Sequence, residues 1–352
     1  MLPLRDLRYL LAYLVPACAA AGLLWRGPWA WLTPAFVFGL VPLLEELVLP
    51  RPRPVSAPEA AGPPRYAGLF DGLLYLNVPL QYGLLGWFLL TVHRGGLSVA
   101  ETLGLIASQG ICCGVLGINV AHELGHRASR RAQGLAQVLL LSSLYLHFFI
   151  EHNRGHHRHV ATPLDPATAR RGENLYPFVL RSMAGGWRSA WQLEAQRRRQ
   201  SGRPVWHPWH NQMLRFQLLQ LLVLAGMALL LSTRVAAAFA AAALLGGALL
   251  EAVNYVEHYG LLRREVRPGV YERVQPRHSW NAEQPLGRIL LYELTRHSDH
   301  HYLASRPYQA LRYQPDSPQM PAGYPAMLLL AALPPLWHRV MNPQLNRVLA
   351  AD

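Results

Sequence analysis

The sequence contains no lysine: all 33 of its basic residues are arginine. Acidic residues are also few, 20 in 352, and charged residues together make up 15% of the chain, against about 25% in ordinary soluble domains. Cysteine is nearly missing. Cys18, Cys112 and Cys113 are too few for a disulfide scaffold or a cysteine-ligated iron–sulfur centre. There is no G-x-G-x-x-G string and no C-x-x-C pair, so the sequence carries no sign of its own nucleotide-binding or cysteine-ligated redox module. With 51% apolar residues it is too hydrophobic for a disordered chain. A net charge of +13 would suit nucleic acid only on a soluble basic face, and here it shares the chain with long uncharged stretches, so no nucleic-acid partner is expected. The missing lysine reads as genome composition rather than function.

What is present is apolar length. A bilayer's hydrocarbon core is about 30 Å thick, so a spanning helix needs about 20 mostly apolar residues. Six stretches qualify: 7–25, 29–49, 73–92, 99–121, 215–232 and 235–253. The first runs straight into the second and is therefore no cleaved signal peptide. Pro16, Pro34, Pro42 and Pro79 lie inside these stretches, where neighbouring helices can satisfy the freed carbonyls. With the N-terminus cytoplasmic, the outer loops 26–28, 93–98 and 233–234 hold only Arg26, Arg94 and Arg234, leaving thirty arginines within or at the inner edge. That is the positive-inside pattern of a multi-pass protein of the bacterial inner membrane with both termini cytoplasmic. Residues 122–214 and 254–352 are then cytoplasmic. Gln133 to Ile150 is apolar, but if it spanned, histidine clusters on its two sides would face opposite compartments; it is read as a re-entrant or partly buried helix. Arg51 to Arg65 is a Pro-rich loop. The expectation is an all-α integral membrane protein, one integrated domain over 1–352, with a histidine-rich metal region on the cytoplasmic side.

Nine of the 16 histidines sit in four short clusters. These are His122-Glu123-Leu124-Gly125-His126, then Glu151-His152-Asn153-Arg154-Gly155-His156-His157, then Glu257-His258, then His297-Ser298-Asp299-His300-His301. Spacings of three and four put such imidazoles on one helix face, so His152 and His156 are expected to share a face, and His297, His300 and His301 to point one way. Imidazole suits zinc, copper, iron and nickel. Nine are too many for one ion and suit two, each with four or five ligands; nearly all-nitrogen ligation without cysteine favours iron. Glu123, Glu151, Glu257 and Asp299 each adjoin a cluster histidine and are candidates to accept its second N–H, or to bind metal themselves. His93, His147, His159, His207, His210, His278 and His338 are read as ordinary polar residues. His122 to His126 also matches the H-E-x-x-H motif of zinc metalloproteases, a rival that would leave the other three clusters unexplained.

Longer strings are more specific. Glu151 to His157 continues as His159-Val160-Ala161-Thr162-Pro163 and Asp165-Pro166; NYVEHYG runs from Asn254 to Gly260, HSWN from His278 to Asn281 and RHSDHH from Arg296 to His301; Ser317 to Tyr324 and Pro334 to Trp337 match too. Over roughly residues 70–345 the chain resembles the bacterial membrane-bound alkane 1-monooxygenases, non-haem di-iron alkane hydroxylases within the histidine-box superfamily of fatty-acid desaturases and hydroxylases. Arg127 stands where that family commonly has lysine, and Thr295 where it often has glutamine.

The resemblance implies a six-helix membrane domain and nine iron ligands, which by motif match are His122, His126, His152, His156, His157, His258, His297, His300 and His301. It implies two irons cycling between Fe2+ and Fe3+, O2 as co-substrate, and terminal hydroxylation of medium- or long-chain n-alkanes to 1-alkanols. Electrons would come from rubredoxin, itself reduced by an NAD(P)H-dependent rubredoxin reductase. Membrane lipids are the other partner, and the helices would form an apolar channel for the alkane. Rubredoxins are acidic, so Arg188, Arg197, Arg198, Arg199 and Arg203 form a possible docking run, with plain positive-inside retention or anionic-lipid contact as the simpler account. The alternatives are a desaturase or a hydroxylase of another lipid or hydrophobic substrate on the same scaffold and, more remotely, the intramembrane zinc protease.

Overall fold

A computed structural model describes residues 4–50 and 67–351. The Pro-rich loop expected over 51–65 lies outside the described residues. Six helical spans are long and apolar enough to cross a membrane, and we number the helices in chain order: α1 (Asp6–Trp25), α2 (Gly27–Val48), α3 (Gly68–Arg94), α4 (Val99–Gly125), then, after three intervening helices, α8 (Gln212–Leu230) and α9 (Thr233–His258). They agree with the six stretches read from hydropathy and make this a multi-pass membrane protein. α4 is mostly buried and forms the centre of the bundle, with α9 beside it; α8 is mostly exposed and forms its edge.

The short connections gather at one end. The Gly27 N–H donates to Glu101 Oε1 (2.9 Å), and Arg234 Nη2 donates to Val92 O (2.7 Å). Ser98 and Glu101 form a reciprocal capping box at the start of α4. Exposed Trp25, Trp29 and Trp31 flank this end, as expected of a membrane–water interface. All nine clustered histidines lie toward the other end. There Tyr9 of α1 donates to Glu293 Oε1 (2.7 Å), and Glu45 near the end of α2 accepts from the Gly287 N–H (2.7 Å), so the first two helices are stapled to the C-terminal third of the chain.

The apolar stretch 133–150 does not span. Helix α5 (Arg130–Leu141) is 12 residues, about 18 Å at 1.5 Å per residue, and the chain then reverses through Leu144, whose φ is 49°. It dips alongside α4: Ser143 Oγ donates to Cys113 O (3.1 Å), and a Cβ on Gly117 would lie 2.3 Å from that hydroxyl, so only glycine admits the approach. Segment 148–159, which we label α6, carries the chain back to the histidine end. The re-entrant reading is correct, and its polar backbone is covered by α4 as membrane depth requires.

Helix α7 (Leu175–Gln200) packs on α9, with Ser182 bonded to Glu251, and leaves Tyr176, Leu180 and Trp187 exposed. Trp206 and Trp209, also exposed, precede α8 and make a second aromatic group, at the histidine end. A two-stranded antiparallel hairpin, β1 (Glu265–Arg267) and β2 (Val270–Tyr271), is the only sheet among the described residues. Short helices α10 (Pro285–Leu290), α11 (His297–Tyr302) and α12 (Tyr324–Ala331) close over the histidine end, followed by α13 (Pro334–Ala351).

Candidate metal centre

The nine histidines converge on one another in two groups. His122, His126, His152, His157 and His300 form one, and His156, His258, His297 and His301 the other; within each group the potential ligand atoms all lie within 4.8 Å of one another. In the first group the Nε2 atoms run His122–His300 (2.9 Å), His300–His157 (3.1 Å), His157–His152 (3.0 Å) and His152–His126 (3.0 Å). In the second they run His156–His301 (3.2 Å), His301–His297 (2.8 Å) and His297–His258 (3.2 Å).

These separations fit a cation. A ring nitrogen carries either one hydrogen or one lone pair, yet the Nε2 of His152, His157, His297, His300 and His301 each meets two others. Hydrogen bonding cannot satisfy both contacts. Two nitrogens held at right angles about 2.1 Å from one ion are about 3.0 Å apart, which is the spacing found. Both groups could therefore hold a metal ion. Burial keeps the rings in the neutral, ligating form: it pushes His126 down to about 4 and His152, His157, His297, His300 and His301 well below the ordinary histidine value. His156 is the exception. Burial lowers it too, but Asp165 and then Glu151 outweigh that and hold it above the ordinary value.

The partition differs from the helix-face reading, and the cause is a wide turn. His152 to His156 is π-helical, with five-residue spacing per bond. His152 and His156 do share a face, with their rings stacked 5.2 Å apart, but the Nε2 of His152 meets that of His157 while the Nε2 of His156 turns to the second group. A Cβ on Gly155 inside that turn would lie 2.6 Å from Glu151 Oε1, so a larger residue there would displace the Glu151 carboxylate. In α11, His297 and His301 stay together at a spacing of four, while His300 crosses to the first group. The end of α4 is entered through another π-helical stretch, Cys113–Asn119, which sets the direction of His122.

The four carboxylates picked from the sequence do not act alike. Glu123 is committed to Arg127 (2.8 Å) and the Tyr308 N–H (3.2 Å), not to a histidine, which also removes it from the water-activating place that an H-E-x-x-H protease needs. Asp299 accepts from Arg306 and from the Arg312 N–H (2.8 Å). Glu151 is buried with Oε1 unpaired, and burial together with the Asp165 charge pushes its pKa up to about 8. Only Glu257 reaches a cluster histidine. Its Oε2 lies 3.2 Å from His297 Nε2, on the ligating side, and its Oε1 accepts from Tyr324 (2.8 Å).

Sequence reasoning missed Asp165. Its Oδ2 accepts from His156 Nδ1 (3.0 Å) and from Thr168 (2.6 Å), the support that a metal-binding histidine needs. Nothing in a Pro-flanked aspartate nine residues downstream announces this. The HSWN string proves to be a brace. Trp280 N–H donates to Glu257 O (2.9 Å), its indole to Tyr259 O (3.0 Å), and Asn281 exchanges bonds with Ser298 (2.8 and 2.9 Å), so it locks the end of α9 to α11. Thr295 joins this brace by donating to Ala282 O (2.7 Å). Before α11 the chain reverses through Tyr292 and Glu293, both with positive φ (51° and 59°), a conformation costing about 1–3 kcal/mol per residue. Burial opposes the charge on Glu293, but Arg288, Arg296 and Arg8 outweigh it and hold the carboxyl below its ordinary range. Of the other histidines, His338 is paired to Asn174 and Tyr259, and His278 caps Gln275. In the arginine run, Arg198 is buried against Pro204 O (3.1 Å) and Arg197 is paired with Glu194, while Arg188, Arg199 and Arg203 are exposed.

Comparison with known proteins agrees with this geometry. The family described as Fatty acid desaturase matches residues 99–330. Alkane 1-monooxygenase 2 of Pseudomonas aeruginosa is 40% identical over 329 residues, covering 92% of this chain and 86% of that protein. Alkane 1-monooxygenase 1 of Alcanivorax borkumensis is 38% identical over 352 residues (95% and 83%). The hydroxylase component of the xylene/toluene monooxygenase of Pseudomonas putida is 32% identical over 353 residues (97% and 89%). With coverage of nearly the whole length and every histidine box inside the matched region, the chain belongs to the alkane 1-monooxygenases of the fatty acid desaturase family.

Proposed function

We propose that the protein hydroxylates the terminal methyl group of medium- or long-chain n-alkanes, with two irons held by the five-histidine and four-histidine groups. The balance is RCH3 + O2 + 2 e− + 2 H+ giving RCH2OH + H2O. Bound at these nine imidazoles, the irons would supply the O2 activation, and the protein supplies position, dryness and substrate.

The observation that carries the reading is an apolar cavity whose walls come partly from α4, α9 and the segment before α11, the elements that carry His122, His258 and His297. Val15, Val37, Phe38, Ile111, Val115, Leu249, Val253, Leu290, Leu294 and Leu328 line it, with Asn119 and Tyr324 among its few polar neighbours. Asn119 is three residues before His122, Leu294 three before His297 and Val253 five before His258, so the walls of the cavity continue into the ligand-bearing turns. An alkane has no polar handle, and its binding rests on burial, about 0.8 kcal/mol per CH2 relative to water. Drawn from the bilayer, the chain would enter this cavity end-on, and its methyl tip would meet the metals before any internal carbon does.

The chain carries no flavin or iron–sulfur fingerprint, so the two electrons are assigned to rubredoxin, served by an NAD(P)H-dependent reductase. The whole of 1–352 works as one domain in the bacterial inner membrane, with the histidine end and both termini cytoplasmic; the thirty arginines assigned to that side support this.

Product analysis tests the reading. Purified protein with rubredoxin, reductase, NADH and O2 should turn octane or hexadecane into the 1-alkanol. An alkene, or no oxidised alkane, would overturn it. The xylene/toluene relative favours one second reading, hydroxylation of an aromatic methyl group, which toluene in the same assay detects as benzyl alcohol.

A further inference from the structure

The β1–β2 hairpin belongs neither to the membrane bundle nor to the ligand set, yet both its stems are tied to ligand-bearing turns. On the incoming side the Arg263 N–H donates to Ala161 O (2.7 Å), and Arg263 Nη2 donates to Arg158 O (2.8 Å), the residue after His157. On the outgoing side the chain runs through Trp280, whose N–H bonds Glu257 O (2.9 Å), next to His258. The segment 263–280 that contains the hairpin is thus tied beside His157 at one end and beside His258 at the other.

Its surface is unusual for solvent. Leu262, Val266 and Val270 are 55%, 51% and 44% exposed, and a lone two-stranded hairpin is marginal in water. Around these three stand exposed Arg264, Arg267 and Arg273. The two local glutamates are used internally: Glu265 accepts from the Gly269 N–H (2.6 Å), and Glu272 from the Arg264 N–H (2.8 Å) and Arg277 (3.0 Å). Among the described residues no carboxylate pairs with the side chains of Arg264, Arg267 or Arg273. Exposed apolar side chains interleaved with exposed arginines on one short hairpin, with Val270 paired to Arg267, have the composition of a protein–protein contact. A lipid surface would instead call for the tryptophans that the aromatic group at Trp206 and Trp209 provides and the hairpin lacks.

We propose that the β1–β2 hairpin is the docking surface for an acidic one-electron carrier protein, which seats on Leu262, Val266 and Val270 and is held by Arg264, Arg267 and Arg273. This rests on the reading that a separate carrier supplies the electrons. Each docking transfers one electron and oxidises the carrier by one, so two dockings serve one turnover. A carrier seated there sits over the turn that bears His157, and its association falls with salt.

The test is the carrier dependence of turnover, with purified rubredoxin as the probe and the full-length protein in lipid nanodiscs. Replacing both Arg264→Glu and Arg267→Glu should raise the half-saturating rubredoxin concentration by about ten-fold or more at low salt, with iron content and kcat at saturating rubredoxin unchanged. Val266→Ser with Val270→Ser, both at exposed positions, should raise it several-fold at any salt, and this decides the matter if the charge reversal does not accumulate. A half-saturating concentration unchanged in both variants overturns the proposal, as does a loss confined to binding of anionic vesicles. A wild-type protein that turns over with a chemical reductant but takes no electrons from rubredoxin would instead refute the carrier assignment itself.

Discussion

The two histidine groups share two of the four boxes, those at 152–157 and 297–301, and are not equivalent. In the five-histidine group, His126 and His157 are only partly buried, and the turns bearing them lead outward to Arg127 and Arg158. In the four-histidine group every ring is buried, and the group has carboxylates about it: Asp165 behind His156 and Glu257 at 3.2 Å from His297. One group has an extra imidazole and a way out to the surface. The other has fewer imidazoles, charge compensation and no exposure. A five-donor set tolerates loss of one ligand better than a four-donor set does, and a buried divalent charge needs the nearby anions more than a half-exposed one.

The largest break in this asymmetry is His156→Ala. It removes one donor of four and also strands Asp165. Alkanol formation should be abolished and bound iron should fall from two to one per chain, with little loss of protein in the membrane. Alkanol production retained at the wild-type rate would contradict the ligand assignment. His126→Ala, one of five, should leave both irons bound at high iron and show only weakened affinity.

Asp165→Asn comes next. It leaves the donor set intact and removes the charge that supports His156. By the usual cost of such support, affinity at one of the two sites should fall about 10–100-fold while the other is untouched. Iron titration followed by a spectroscopic signal would show biphasic release; parallel weakening at both sites would mean that the groups are not independent.

Acidification acts on the five-histidine group in the metal-free protein, whereas in the other group burial is outweighed by Asp165, which holds His156 above its ordinary value. The folded pKa of His126 is depressed, to about 4, while the unfolded value is near 6.5. The unfolded chain therefore binds the proton first, and the stabilisation, on the order of a few kcal/mol, is complete above about pH 6.5 and is lost as pH falls toward 4. His157 and His300 act in the same direction. Thermal melts of chelated protein in detergent should fall steeply between pH 6.5 and 4.5; a flat profile would show these rings to be hydrated. The smallest effect belongs to Tyr324→Phe. It removes one hydrogen bond to Glu257, a loss of about 1–3 kcal/mol in a buried network, read as a modest drop in melting temperature with both irons retained.

Much of this was legible beforehand, and the limits have physical causes. The six spans were visible because membrane thickness sets a length that hydropathy can count. The re-entrant segment was visible because the clusters on either side of 133–150 had to share a face of the membrane. The nine histidines were visible because their boxes are dense. Which histidine joins which group was not, since it turns on a π-helical turn at His152–His156 and on the crossing of His300, neither of which spacing rules encode. Carboxylates next to a histidine in sequence proved poor guides. Glu123 and Asp299 turn to arginines, whereas Asp165 and the brace at Trp280 and Asn281 come from loops whose approach is decided by tertiary packing. The arginine run at 197–199, read as a possible docking run, is split by the helix, with Arg198 buried.

The central claim is two irons on nine histidines, five and four. Metal analysis of the purified full-length protein, by elemental mass spectrometry against quantitative amino-acid analysis, addresses it directly. The account predicts two irons per chain in the wild type and one in His156→Ala. A single zinc, or a wild-type stoichiometry of one that His156→Ala leaves unchanged, would contradict it.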